Sequence, residues 1–165
     1  MNTLIWAVGA LLALVLVLAS TLAVYARVKP LPTDRLHDHP GPQERGTHMM
    51  EGGVKYVLPL GQLPENGVER LLEIARSTPR TTEIPTSSGY TFVTRSKLFG
   101  FPDIIRIWQA DGHLHIHSHL VIGRSDLGVN GARIEGWIKQ LFDETGGHAG
   151  AARVAPDRDI QAHVA

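Results

Sequence analysis

Cysteine is absent from the chain. That excludes disulfides, thiolate nucleophiles, iron–sulfur clusters and cysteine-based zinc sites. It leaves the compartment open, since a cysteine-free chain is stable on either side of a membrane. Net charge is absent as well: 16 basic and 16 acidic residues cancel among 165. Bulk charge therefore gives no reason to expect a nucleic-acid partner. Also missing are a phosphate-cradling glycine-rich loop, a nucleophile elbow and a metalloprotease motif. Ser125 and Asp126 are adjacent in sequence, which is not the spatial relation a catalytic triad needs. These gaps lean against an enzyme, and no cofactor is expected.

What is present divides into two unlike parts, which the mean hydropathy of −0.03 conceals. Residues 4–26, LIWAVGALLALVLVLASTLAVYA, contain no charged side chain. At helical rise they cover roughly 34 Å, enough for a hydrocarbon core about 30 Å thick. Trp6 and Tyr25 stand near the two ends, where amphipathic rings favour the interface. A cleavable signal peptide is the rival, with Val24-Tyr25-Ala26 as its cleavage site. The apolar run exceeds the usual ~7–15 residues, however, and no Lys or Arg precedes it. A single-pass transmembrane anchor over 4–26 is therefore expected. Arg27, Lys29 and Arg35 follow it, and the positive-inside bias favours a cytoplasmic C-terminal domain. No intramembrane charge suggests a transport path.

Residues 27–48 read as a proline-rich linker, because Pro30, Pro32, Pro40 and Pro42 interrupt regular structure. His37 and His39 within it are expected to be solvated, for want of a fixed ligand geometry. An α+β domain is expected over 49–143. Residues 54–60 look like a strand, and Pro64 opens a helix whose stripe is Val68, Leu71, Leu72 and Ala75. Residues 81–84, 90–98, 104–110 and 113–122 read as further strands. Asp111-Gly112 is a two-residue hairpin turn, since both positions tolerate positive φ. A last helix over 129–143 carries Ile134, Trp137, Ile138, Leu141 and Phe142 on one face. Two amphipathic helices on one face of a small antiparallel sheet is the natural solution. The Gly- and Ala-rich tail, 144–165, reads as disordered.

His113, His115, His117 and His119 alternate, so a strand points all four one way and Leu114, Ile116 and Leu120 the other. With the turn at 111–112, Ala110 faces His113, Trp108 faces His115, Arg106 faces His117 and Ile104 faces His119. A metal at His115 and His117 is disfavoured, because the opposite strand supplies Trp and Arg instead of a third ligand. The expected roles are a solvent-facing or partner-covered polar face, or a surface for anions or lipid headgroups.

Two loops, RSKLFGFPD (95–103) and GRSDLGVN (123–130), mix glycine with polar residues at element ends. These stretches, with ARIEGWIKQL after them and TPR at 78–80, resemble the signature segments of the family catalogued as domain of unknown function 1499. The resemblance spans about 54–141, and PLPTDRLHDHP is similar to the membrane-proximal stretch of anchored members. It implies no catalytic residues. The chain departs from the family pattern at His117 and His119, where Arg is more usual, and this further disfavours a metal. Arg95, Ser96, Asp103, Arg124, Ser125, Asp126, Asn130 and Arg133 are read first as caps, turns and an Arg–Asp network. The sharper alternative has Arg95, Arg124 and Asp126 converge on an anionic ligand. The tentative ligand-binding set is Arg95, Arg106, Arg124, Asp126 and Asn130. A membrane-tethered binding or interaction module is thus expected, partnered by an unknown protein or small anionic ligand.

Overall fold

The computed structural model describes residues 2–144; the tail expected from residue 144 onward lies, beyond Glu144 itself, outside them. Helix α1 (Asn2–Val28) is followed by strands β1 (Gly46–Met50) and β2 (Gly53–Pro59) and helix α2 (Gly67–Ser77). Strands β3 (Thr81–Ile84), β4 (Tyr90–Arg95), β5 (Pro102–Ala110) and β6 (His113–Leu120) and helix α3 (Val129–Glu144) complete the order. The strands form one antiparallel sheet in the order β1-β2-β6-β5-β4-β3. The α+β expectation holds.

The β5–β6 hairpin has the expected register, including Trp108 opposite His115 and Arg106 opposite His117. Asp111 and Gly112 adopt φ of 48° and 73°, the paired positive values of a tight hairpin turn. Alternation then sends Leu114 and Ile116 of β6 to one face, with Ile105 and Ile107 of β5 and Val54 and Tyr56 of β2. Leu71, Leu72 and Ala75 of α2 and Ile134, Trp137 and Leu141 of α3 close over them as expected, and all are buried. Trp137 meets Phe92 edge-to-face at 6.5 Å and donates its indole N–H to Thr78 Oγ1 at 2.8 Å. That bond satisfies the single polar atom of the largest core side chain. Gly53 lets β2 approach β6, since a Cβ there would lie 2.3 Å from the Ser118 carbonyl oxygen.

Boundaries differ from expectation where local geometry intervenes. Strand β1 begins in the last three residues of the stretch read as linker, because Gly46–Met50 has a mixed composition and becomes a strand by pairing with β2. Helix α2 starts at Gly67 and not at Pro64, as Asn66 before it is left-handed at φ 55°. Strand β4 ends at Arg95, where the Ser96 hydroxyl accepts the Phe101 N–H and the chain turns.

Helix α1 is long and apolar enough to cross a membrane, with a mean hydropathy of 2.6 in its richest window. Length and composition of this kind fit a span and a signal sequence equally. Its last turn touches the domain. Ala26 is fully buried, its carbonyl accepts from Arg95 at 3.1 Å, and Arg27 donates to the Phe99 carbonyl at 2.9 Å.

Candidate functional site

The sheet face away from α2 and α3 is where sequence reasoning and structure part most. Reading across β2, β6, β5 and β4, the paired residues form a row: Lys55, His117, Arg106, Thr91. An outward-facing row of this kind would normally be wet. Here Lys55 and Arg106 have no exposed surface, and His115 and His117 are buried. The cover is the chain's own proline-rich stretch. Around a short 3-10 turn (Asp34–Leu36), the segment from Leu36 to Gly41 lies across the sheet as a strap.

Arg106 holds that strap. Its guanidinium donates to the carbonyls of His37 (3.3 Å), Asp38 (3.1 Å) and Ser88 (2.9 Å), to His39 Nε2 (3.0 Å) and to Thr91 Oγ1. Thr91 in turn donates its own hydroxyl to the Leu36 carbonyl at 2.9 Å. Lys55 reaches the Gly41 carbonyl at 3.3 Å and sits 4.8 Å from the Trp108 ring centre. Trp108 is sandwiched in turn, stacked on His115 at 5.0 Å and covered by His39 at 4.8 Å. His39 is therefore docked on the sheet and does not hang in a loose linker.

The electrostatics of the row follow from burying two cations against carbonyls and rings. Burial lowers the pKa of Lys55. His117 is pushed down to about 4, by burial first and then by His119, Lys55, Arg106 and Arg35. Burial, then Lys55, also lowers His115. Among the described residues His115 Nδ1 and His117 Nε2 have no hydrogen-bond partner, yet the neighbouring positive charges make the spot hostile to a metal dication. Among the described residues no group of three or more His, Cys, Asp or Glu is placed to hold a metal ion.

Beside the row the face opens into a cleft of about 280 Å³, whose lining includes Arg35, Glu51, Gly52, His119 and Arg124. Arg35 makes two long contacts there, 3.4 Å to His119 Nδ1 and 3.4 Å to the Leu120 carbonyl. Burial, then Arg35, lowers the pKa of His119. Arg124 is exposed and makes no ion pair among the described residues. Two guanidinium groups and an imidazole thus face one carboxylate, an excess of positive charge suited to an anion.

The five residues marked in the sequence go to different places. Arg106 staples the strap. Arg95 donates to the carbonyls of Ala26 (3.1 Å) and Gly100 (3.0 Å), joining the sheet to α1. Asp126 caps α3, accepting from the Gly128 N–H at 3.2 Å and the Asn130 N–H at 2.9 Å. Burial pushes its carboxyl up, but those backbone donors outweigh it and hold it below the usual range. Asn130 is buried, its Oδ1 accepting from Ser118 and from Arg133 at 2.6 Å each, and Arg133 pairs with Asp103 at 3.0 Å. Of the five, only Arg124 lines the cleft, while Asp126 and Asn130 belong to the cap and Arg–Asp network beside it. Arg35 and Lys55 were not singled out from the sequence as ligand groups, and His119 was marked only as one of the four histidines on a shared face. Lys55 alternates with Val54 and Tyr56 in β2, which signals a face opposite the core, but its meeting with His117 depends on a pairing between distant segments.

The family described as "Protein of unknown function (DUF1499)" matches residues 47–141, more than half of the chain. The chain belongs to the DUF1499 family. No curated protein matches it. The DUF1499 match begins one residue inside β1 and ends in the last turn of α3, so it takes in all of the sheet but Gly46. The strap, with Arg35 and His39, precedes the matched region.

Proposed function

We propose that the chain is a single-pass membrane-anchored binding module whose cleft beside the histidine strand takes an anionic group. The observation that carries the ligand class is the lining: Arg35, Arg124 and His119 around one cleft, against Glu51 alone. An uncleaved anchor is supported by the junction at Ala26 and Arg27, where the end of α1 is hydrogen-bonded into the β4–β5 loop. Cutting after Ala26 would strip Arg95 of an acceptor and expose a buried contact. Arg27, Lys29 and Arg35 on the domain side support a cytoplasmic domain; protease protection in sealed vesicles checks that orientation.

Arg124 makes no side-chain hydrogen bond or ion pair among the described residues, so its replacement separates binding from folding. Calorimetric titration of the full chain in detergent with inorganic phosphate is expected to give saturable binding. Arg124→Gln is expected to weaken it about 10-fold or more, the loss of one charge-assisted contact. Its melting temperature should stay unchanged. Absence of heat in the unaltered protein, or equal affinity in the variant, contradicts an anion cleft at this position.

A further inference from the structure

We infer that the β4–β5 loop and the loop between β6 and α3 form a second, shallow contact with the bilayer. The two loops leave the sheet at the same end, because Asp103 at the start of β5 pairs with Leu120 at the end of β6. The Val121 N–H donates to the Pro102 carbonyl at 3.0 Å and ties the second loop beside the first. At that end Leu98 is 79% exposed and Leu127 is 91% exposed. The other leucines of the domain are buried or half-buried. Leu127 is also held at φ 53°, a left-handed conformation that branched side chains disfavour, by an N–H bond to Ser125 Oγ and the adjacent Asp126 cap. The backbone is bent at a cost and presents an apolar tip outward.

What covers these tips is set by α1. Arg27 donates to the Phe99 carbonyl at 2.9 Å and to the Ala23 carbonyl at 3.0 Å, so the β4–β5 loop stands level with the last turns of the apolar helix. A Cβ on Gly100 would touch the Arg27 side chain at 3.1 Å. Ala19, Ala23 and Ala26 share one face of α1 and are its shielded positions there. Once α1 crosses a bilayer, its last turn brings Leu98 and Phe99 close to the membrane surface. The loop reads Lys97-Leu98-Phe99-Gly100-Phe101, with Phe99 and Phe101 rings 5.6 Å apart. A cation beside apolar and aromatic groups is the composition of an interfacial segment. Arg124 flanks Leu127 in the same way, and the anion cleft opens at this end of the sheet. The occupant is therefore the lipid surface, and the proposal rests on α1 being an anchor.

The absence of cysteine makes the test clean, because each single-cysteine variant carries one nitroxide label. Leu98→Cys and Leu127→Cys report the loops, Leu12→Cys the centre of α1, and Gln62→Cys the opposite end of the sheet. Full-length protein is reconstituted in phosphatidylcholine vesicles containing phosphatidylglycerol, and label accessibility to oxygen and to a nickel chelate is measured. The expected result is a severalfold higher oxygen-to-nickel ratio at 98 and 127 than at 62, with 12 highest. Labels at 98 and 127 as aqueous as at 62, with 12 in lipid, overturn the loop contact and leave the anchor standing. A label at 12 that is itself aqueous overturns both.

Discussion

Arg106→Ala is expected to destabilise the domain by about 4 kcal/mol and to free the strap. Five hydrogen bonds converge on this guanidinium, and hydrogen bonds to charged groups contribute roughly 1.5–3 kcal/mol each before the cost of burying the charge is subtracted. Truncation leaves the carbonyls of His37, Asp38 and Ser88 without their donor and opens a cavity under the strap. A loss of this size is a large part of the ~5–15 kcal/mol that holds a small domain together. Denaturant melts measure it directly. Limited proteolysis should show new cutting between residues 34 and 43, well below the global transition. Arg106→Lys should recover only part of the loss, since an ammonium cannot imitate the planar fork. A melt within about 0.5 kcal/mol of the parent, the scatter of ordinary surface changes, contradicts the stapling role.

The second large effect is acid lability. His117 titrates near 6.5 in an unfolded chain and at about 4 in the folded one, because burial, His119, Lys55, Arg106 and Arg35 oppose its charge. A depressed histidine favours folding while both states are neutral. Its stabilisation is fully present above about pH 6.5 and is lost as pH falls towards 4. At about 1.4 kcal/mol per unit the full loss is about 3.5 kcal/mol. His39 works in the same direction: partial burial, then Arg106, lowers its pKa, and its Nε2 can accept the Arg106 proton only while neutral. Asp103 opposes the trend, since burial raises its carboxyl despite Arg133, so protonation favours the folded form. That compensation belongs to a carboxylate and enters mostly at the lower end of the window. Melts at pH 7.5 and 4.5 should differ by about 2–3 kcal/mol, and His117→Gln should flatten most of the difference. A profile equally steep in that variant contradicts His117 as its source.

These two residues show where the sequence is transparent and where it is not. Local chemistry is readable. The Asp111-Gly112 turn, the face shared by four histidines and the pairing of Arg106 with His117 all follow from period-two alternation and one hairpin. The helical stripes through Leu71 and Trp137 are readable for the same reason. Non-local geometry is not. His117 has Lys55 on its other side because β2 adds to the sheet beside β6, and no short-range pattern announces that neighbour. The strap is harder still. Four prolines make 27–48 irregular, but irregular backbone docks when its carbonyls find a donor, and the donor is an arginine more than sixty residues away. The expected solvent-facing or partner-covered histidine face is covered by the chain itself. Of the arginines expected to meet at one ligand, Arg95 instead binds the end of α1, while the cleft draws Arg35 from the 3-10 turn that leads into the strap.

The anchor is the claim on which the loop contact and sidedness both turn, and the most direct measurement is the mass and membrane retention of the mature chain. Membranes from expressing cells are washed with alkaline carbonate, and the retained protein is weighed intact by mass spectrometry. A retained species carrying residues 4–26 is the expected result. A chain beginning at Arg27, or one released by the wash, contradicts anchoring by α1.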